Sequence, residues 1–159
     1  MWGVRSVLAV WVAALAVVGA GALPAGAVRN ADPEADLAYH GAASMAGGTV
    51  DVRFTPRHHG LSAVPDATVR LRWSVGLADA QVLPVGCARS QERVVLCRVG
   101  ALAADDIGEQ IALRVRLLGA PSEVLLEIDT VSSGGAVGRN RVSDRQRVLV
   151  LDTGDEYYF

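Results

Sequence analysis

The chain has 159 residues, and its 15 basic and 17 acidic residues give a formal charge of −2, which suits one domain with a weakly acidic surface. All 15 basic residues are arginine. The absence of lysine excludes two functions that need it: a phosphate-binding loop with its lysine, and catalysis through a lysine Schiff base. The weakly acidic charge also argues against nucleic acid as a partner.

The first residues have the pattern of a secretory signal peptide. One charged residue, Arg5, precedes an apolar run over residues 7–23, and the small residues Ala-Gly-Ala follow at 25–27. An uncleaved membrane anchor is the alternative, because the run is near the lower length limit of about 17 residues for crossing a bilayer. The Ala-x-Ala end favours cleavage. We predict a signal peptide over residues 1–27, cleavage before Val28, no membrane span afterwards, and a secreted or extracellular location that includes association with the cell wall.

The remaining 132 residues contain β-strand patterns in chain order. After a polar lead-in at 28–35, three segments alternate strictly between apolar and polar side chains, which is typical of half-buried antiparallel strands: 49–55, 67–74 and 110–118. Weaker patterns predict further strands at 37–45, 80–83, 94–99, 124–131 and 147–151. Turn signals separate them. We predict an all-β fold, an Ig-like antiparallel β-sandwich of seven to eight strands over residues 36–151.

The two cysteines, Cys87 and Cys97, are predicted to form a disulfide, because export brings the chain to an oxidising compartment. Facing each other across a hairpin, they would pair Ala88 with Leu96, Arg89 with Val95 and Ser90 with Val94, around a tip of Gln91, Glu92 and Arg93. A zinc site is the alternative and needs two more ligands. The histidines at 40, 58 and 59 lack the spacing of such a site.

Several short motifs invite a catalytic or metal-binding interpretation, and we favour a structural one for each. The sequence RHHG at 57–60 is predicted to be a polar hairpin tip, and Ser44 lacks the glycines of a nucleophile elbow. The acidic segments ADDIGE and DTGDE do not match a calcium loop, so solvated turns are expected. Arginine rows at 70/72 and 114/116 would form a basic strip only if their strands were neighbours. We predict no catalytic residues, no metal and no cofactor.

The last eight residues, 152–159, are predicted to be an acidic and aromatic tail beyond a domain whose strand pattern ends at Leu151. Tyr157, Tyr158 and Phe159 are candidate partner-binding residues, because exposed aromatic side chains are common anchors in interfaces. The alternative is that the tail extends the last strand and covers one end of its own sandwich.

Six sequence segments follow one another over about residues 35–151: ADLAYHG, VDVRFTPRHHGLSAVPDATV, LPVGC, VLCRVGAL, EQIALRVRL and GRNRV. In this order they resemble the bacterial surface-repeat family called domain of unknown function eleven. The sequence departs from the family pattern at His59-Gly60 and Asn140-Arg141, where Asn-Gly and Asn-Asn are usual. The resemblance implies an Ig-like sandwich in a secreted or cell-envelope protein, and it implies no catalysis.

These features lead to an expectation of a noncatalytic secreted module that binds or spaces at the bacterial cell envelope. Its partner would be an envelope protein or a wall component. The alternative is a secreted small-molecule carrier of the apo-chromoprotein type, whose members are also Ig-like sandwiches. The third hypothesis is a hydrolase or a protease inhibitor. Ser44, His58 and Asp51 do not make a convincing catalytic Ser-His-Asp set, which argues against a hydrolase.

Overall fold

The structure is a computed structural model that describes residues 34–132, 137–138 and 145–159, all within one compact unit of residues 31–159. The predicted signal peptide lies outside the described residues, so cleavage before Val28 stays a prediction. Within the described ranges there is no helix, and therefore none long and apolar enough to cross a membrane.

The described part of the chain forms eleven strands. They are β1 (Glu34–Ala35), β2 (Leu37–Ala46), β3 (Thr49–His58), β4 (Thr68–Trp73), β5 (Cys87–Gln91), β6 (Val94–Arg98), β7 (Ile111–Arg116), β8 (Glu123–Ser132), β9 (Val137–Gly138), β10 (Arg145–Leu151) and β11 (Tyr157–Tyr158).

These strands form a β-sandwich, as predicted. One antiparallel sheet has four strands in the order β11-β2-β3-β7, and the other has five in the order β10-β8-β4-β6-β5. The short strands β1 and β9 pair in parallel outside the two sheets. The chain passes between the sheets after β3, β6, β7 and β10, which gives the alternation of strands typical of an Ig-like sandwich.

The core lies between the inner faces of the two sheets and follows the alternation in the sequence. In β3 the inward residues Val50, Val52 and Phe54 are buried, whereas Asp51 and Arg53 are exposed. The same pattern buries alternate residues of β4, β7 and β8. Period-two burial of this kind removes apolar surface from water while leaving charged side chains solvated.

The predicted strand at residues 80–83 is wrong. The segment before it follows the edge of β7, where Leu77 forms a bridge with Leu117 and the Ala78 N–H donates to the carbonyl of Arg116 at 2.8 Å. The side-chain amide of Gln81 then bonds both main-chain groups of Arg116, at 2.8 and 3.0 Å. Because a side chain takes the place of a main-chain partner, the following residues leave the edge, and Val82 is 94% exposed.

The predicted polar hairpin tip at 57–60 is also wrong. Strand β3 continues through His58, whose side chain is fully buried with Nδ1 2.9 Å from the carbonyl oxygen of Ala103. The chain then crosses to the other sheet rather than turning back beside β3. Alternation therefore persists past the point where the polar residues of the sequence indicate a turn.

Candidate functional site

The predicted disulfide between Cys87 and Cys97 is present and joins β5 to β6, with a Cα–Cα distance of 4.0 Å. The Arg98 N–H donates to the carbonyl of Gly86 at 2.9 Å, so the cysteines form a non-hydrogen-bonded pair of the antiparallel ladder. This pair brings the two strands closest and accommodates the bridge.

The predicted register of the hairpin that the disulfide closes is wrong at one position. Ala88 faces Leu96 and Arg89 faces Val95 as expected, but Gln91 rather than Ser90 faces Val94. Ser90 is the extra residue of a bulge, and the tip shortens to Glu92 and Arg93. The Arg89 side chain stabilises this tip from the side by donating to the carbonyls of Leu77, Ala78, Asp79, Gln91 and Glu92.

The aromatic tail adds a strand to the four-stranded sheet of its own domain. Tyr157 and Tyr158 face Ala43 and Ala42 of β2, and Phe159 exchanges two main-chain hydrogen bonds with Gly41 at 2.9 and 3.0 Å.

The three aromatic side chains of this tail do not share one environment. Tyr157 and Phe159 are partly buried and pack against the core, whereas Tyr158 is 74% exposed on the outer face. Of the three predicted partner-binding residues, Tyr158 alone presents most of its surface to solvent, and the partner contact itself stays a prediction.

The exposed face of the four-stranded sheet carries an ion pair that spans β2. Arg53 of β3 reaches over the small residue Ala42 to form a salt bridge with Glu156, and the Tyr158 hydroxyl donates to Glu156 at 2.7 Å. The hydrogen bond from Arg53, followed by that from Tyr158, lowers the pKa of Glu156 to about 2. The same contact with Glu156 raises the pKa of Tyr158. Glu156 therefore stays ionised across the physiological pH range and fixes the orientation of the Tyr158 ring.

A second ion pair joins β3 to β7 on the same face. Arg114 donates to both carboxylate oxygens of Asp51, at 2.6 and 3.1 Å, and these hydrogen bonds raise the pKa of Arg114. The bidentate geometry holds both side chains over β3 and β7.

These ion pairs border a groove of about 530 Å³ across the sheet face. It is lined by Ala42, Ala43, Ser44, Asp51, Val52, Arg53, Ala112, Leu113 and Arg114. Ala42, Ala43, Val52 and Leu113 form its floor and are buried, whereas Ser44 is half-buried and Ala112 is exposed. This groove, which we call the face groove, is the candidate functional site.

The sequence could not locate the face groove. Arg53 and Glu156 are 103 residues apart, and their contact depends on the tail returning to β2. Alternation identified the exposed face of β3, but no local pattern shows which exposed residues meet across strands.

The structure does not bring together the weak catalytic set considered above. Ser44 and Asp51 are paired neighbours on the exposed face, whereas His58 is buried seven residues further along β3, about 23 Å away. In the described ranges no three of the His, Cys, Asp and Glu side chains come together as metal ligands. The acidic segments form turns in which Asp106 and Asp152 accept main-chain N–H groups.

The arginine rows at 70/72 and 114/116 lie on different sheets and form no common strip. Arg70 donates to Asp129 of β8 at 2.9 and 2.5 Å, and Arg72 lies 3.9 Å from Glu127 of the same strand. The first row therefore lies beside two carboxylates of β8, and in the second row Arg114 pairs with Asp51 of β3.

Comparison with known proteins gives no relative on which to base a function. No protein-family model matches the chain, and no curated protein matches it.

Proposed function

We propose that the protein is exported and is a noncatalytic Ig-like module that binds a component of the bacterial cell envelope through the face groove. The observation that carries this proposal is a groove on the exposed face of a sheet, with a floor of apolar residues between two fixed ion pairs. Such a surface offers shape and hydrogen-bonding groups, as binding sites do.

The electrostatics of the groove support binding rather than catalysis. A general acid or base works best with a pKa near the operating pH. Glu156 has a pKa of about 2, and its carboxylate is held by Arg53. Asp51 is likewise held by two hydrogen bonds from Arg114. A carboxylate with a pKa as low as that of Glu156 is a poor general acid or base at neutral pH, which favours binding over catalysis at this site.

Export is supported by the N-terminal pattern together with the disulfide, because such bonds persist in oxidising compartments. The resemblance to domain of unknown function eleven agrees with an envelope location and belongs to the same proposal. Protein collected from the culture medium should begin Val-Arg-Asn at Val28 on N-terminal sequencing. Intact Met1 in a membrane fraction would refute cleavage.

Binding is tested with the exported chain and two fractions of the producing cell: purified wall polysaccharide and solubilised envelope protein. We expect one fraction to retain the chain. Ser44→Arg fills the face groove and should reduce retention at least about tenfold, the loss expected when an interface centre is blocked. Ala88→Arg places the same side chain on the exposed face of the other sheet and serves as the matched control.

Two outcomes would contradict the proposal. Failure of both fractions to retain the folded chain would remove envelope binding. Loss of retention with Ala88→Arg but not with Ser44→Arg would assign binding to the five-stranded sheet.

A small-molecule carrier is the second candidate, and the volume of the face groove favours it, since ligand pockets commonly enclose about 300–1,000 Å³. A bound compound released by denaturing the secreted protein, and absent from Ser44→Arg, would establish this function in place of the first.

A further inference from the structure

Strand β7 is an edge strand whose outward main-chain groups are only partly used. The Leu117 N–H donates to Gly48 beside β3, and alternation therefore turns the main-chain groups of Ala112, Arg114 and Arg116 away from β3. Arg116 is bonded by Ala78 and Gln81. In the described part of the chain, the outward groups of Ala112 and Arg114 make no hydrogen bond.

The chain itself already adds an extended segment to the far end of this edge. Leu77 bridges Leu117, and the Leu118 N–H donates to the carbonyl of Gly76 at 2.8 Å. The addition stops at Gln81, one outward position short of Arg114. The geometry of strand addition is therefore present at β7, and the next two outward positions are open.

A second groove of about 450 Å³, which we call the edge groove, lies between β7 and the β5–β6 hairpin of the other sheet. One wall of the edge groove is apolar and consists of Pro84, Val85, Val99 and Ile111, whereas Arg98, Glu109 and Gln110 add polar side chains to its lining. Val85 is fully exposed. Ala112 lines both grooves. Alternate side chains of a strand point to opposite faces, so a strand added at Ala112 and Arg114 would direct one set into each groove.

The two grooves differ in the side chains they would accept. The edge groove has an apolar wall in which valine or leucine would lose water-exposed surface. On the outer face, Asp51 pairs with Arg114, and among the described residues no carboxylate pairs with Arg116, whose side chain donates to the carbonyl of Ala80. One positive charge is therefore left without an acidic partner on this face of β7. Acidic side chains complement that charge.

We propose that β7 binds an extended polypeptide segment with alternating apolar and acidic residues as an added antiparallel β-strand. The main-chain groups of Ala112 and Arg114 supply the hydrogen bonds, and the two grooves select the side chains, as in other cases of strand addition. This inference rests on the proposed function and deepens it, because it identifies the envelope partner as a protein.

The test uses a capped synthetic peptide of seven residues that alternates valine and glutamate, with a peptide of the same composition but grouped valines as the control. Hydrogen exchange followed by NMR should show the amides of Ala112 and Arg114 exchanging about tenfold or more slowly with the alternating peptide, as hydrogen-bonded amides do. Unchanged exchange at both amides under saturating peptide would overturn the proposal.

A proline variant tests the main-chain contact directly. Ala112→Pro removes an outward N–H at a position where an edge strand tolerates proline, whereas Ala112→Ser keeps it. We expect Ala112→Pro to weaken peptide binding about tenfold and Ala112→Ser to change it less than about twofold. Equal affinity of the two folded variants would refute strand addition. If Ala112→Pro does not fold, Val85→Asp replaces it and should weaken binding by charging the edge groove.

Other outcomes separate this inference from the proposed function. Retention of wall polysaccharide that Ser44→Arg abolishes, without protection of the β7 amides by the peptide, refutes the inference and leaves envelope binding intact. Peptide binding at β7 without retention of either envelope fraction refutes the proposed function. A dimer in light scattering that protects the same amides without peptide would assign the edge to a second copy of the chain.

Discussion

Removal of the disulfide is the perturbation whose size can be worked out most directly. The bond closes a loop with a sequence separation of 10, and the chain-entropy argument gives such a loop a stabilising free energy of about 2.7 kcal/mol. Cys97 is also fully buried, so loss of its sulfur in Cys87→Ala/Cys97→Ala should cost about 0.5–1 kcal/mol more. The total is about 3–3.5 kcal/mol, which corresponds to a decrease in Tm of about 10 °C for a domain of this size.

The domain should still fold without the bond, because the core cluster extends through both sheets, far beyond β5 and β6. Calorimetry gives the change in Tm, circular dichroism shows whether the β signal remains, and reduced wild-type protein is the control for loss of the bond alone. A double mutant that is unfolded at 25 °C would show that the core depends on the disulfide. A decrease in Tm below about 2 °C would show that the hairpin closes equally well without it.

The remaining predictions concern the tail and the hairpin. Phe159→Ala should destabilise the domain by about 1.5–2 kcal/mol in urea unfolding, because a half-buried core contact is lost, whereas Tyr158→Ala should leave the urea midpoint nearly unchanged; equal effects of the two substitutions would refute the assignment of inner and outer aromatics. The pKa of Glu156 is about 2 against an ordinary 4.5, so its contribution to stability is complete above pH 4.5 and is lost as pH falls toward 2. The stability difference between wild type and Glu156→Gln should therefore be present at pH 7 and shrink on acidification, and a difference that grows below pH 4.5 would contradict the ion pair. Arg89→Ala should cost about 2–3 kcal/mol because the charged side chain donates to several carbonyls, whereas Arg93→Ala, which loses a contact with one carbonyl, should cost about 1 kcal/mol or less; equal values for the two would refute the role given to Arg89.

The sandwich could be predicted because each of its clearest strands has one buried face and one solvent-exposed face, which gives an alternating sequence pattern. Val50, Val52 and Phe54 alternate with charged residues in β3, and a period of two places all three on the inner face. The same period of two predicts that Val69 and Leu71 of β4 lie in the core, and both are buried. The cysteine pair then set the pairing of β5 with β6, because a disulfide needs two residues that face each other.

At residues 57–60 the prediction is wrong because it gives polar residues more weight than the alternation that continues through His58. The other two errors fall where a side chain replaces a main-chain hydrogen-bond partner and where the register shifts. Gln81 bonds the β7 edge through its amide, so a segment with apolar residues leaves the sheet instead of forming a strand. The bulge at Ser90 changes the hairpin tip without changing the pairing nearer the disulfide. Local periodicity contains no signal for either event.

The candidate site could not be predicted from the sequence, because it too depends on contacts between distant parts of the chain. The composition of the tail is unusual, but its return to β2 depends on main-chain hydrogen bonds between Phe159 and Gly41, which composition does not predict. The ion pair of Arg53 with Glu156 follows from that return. Sites built on the exposed face of a sheet depend on strand order, which is a long-range property.

The central claim, that the exported chain binds a protein of the envelope through the four-stranded sheet, is tested most directly by hydrogen exchange of the chain with and without solubilised envelope protein. We predict slower exchange at Ala112 and Arg114 and unchanged exchange at Ala88 on the other sheet. Protection confined to the five-stranded sheet, or no protection anywhere in the folded chain, would contradict the account.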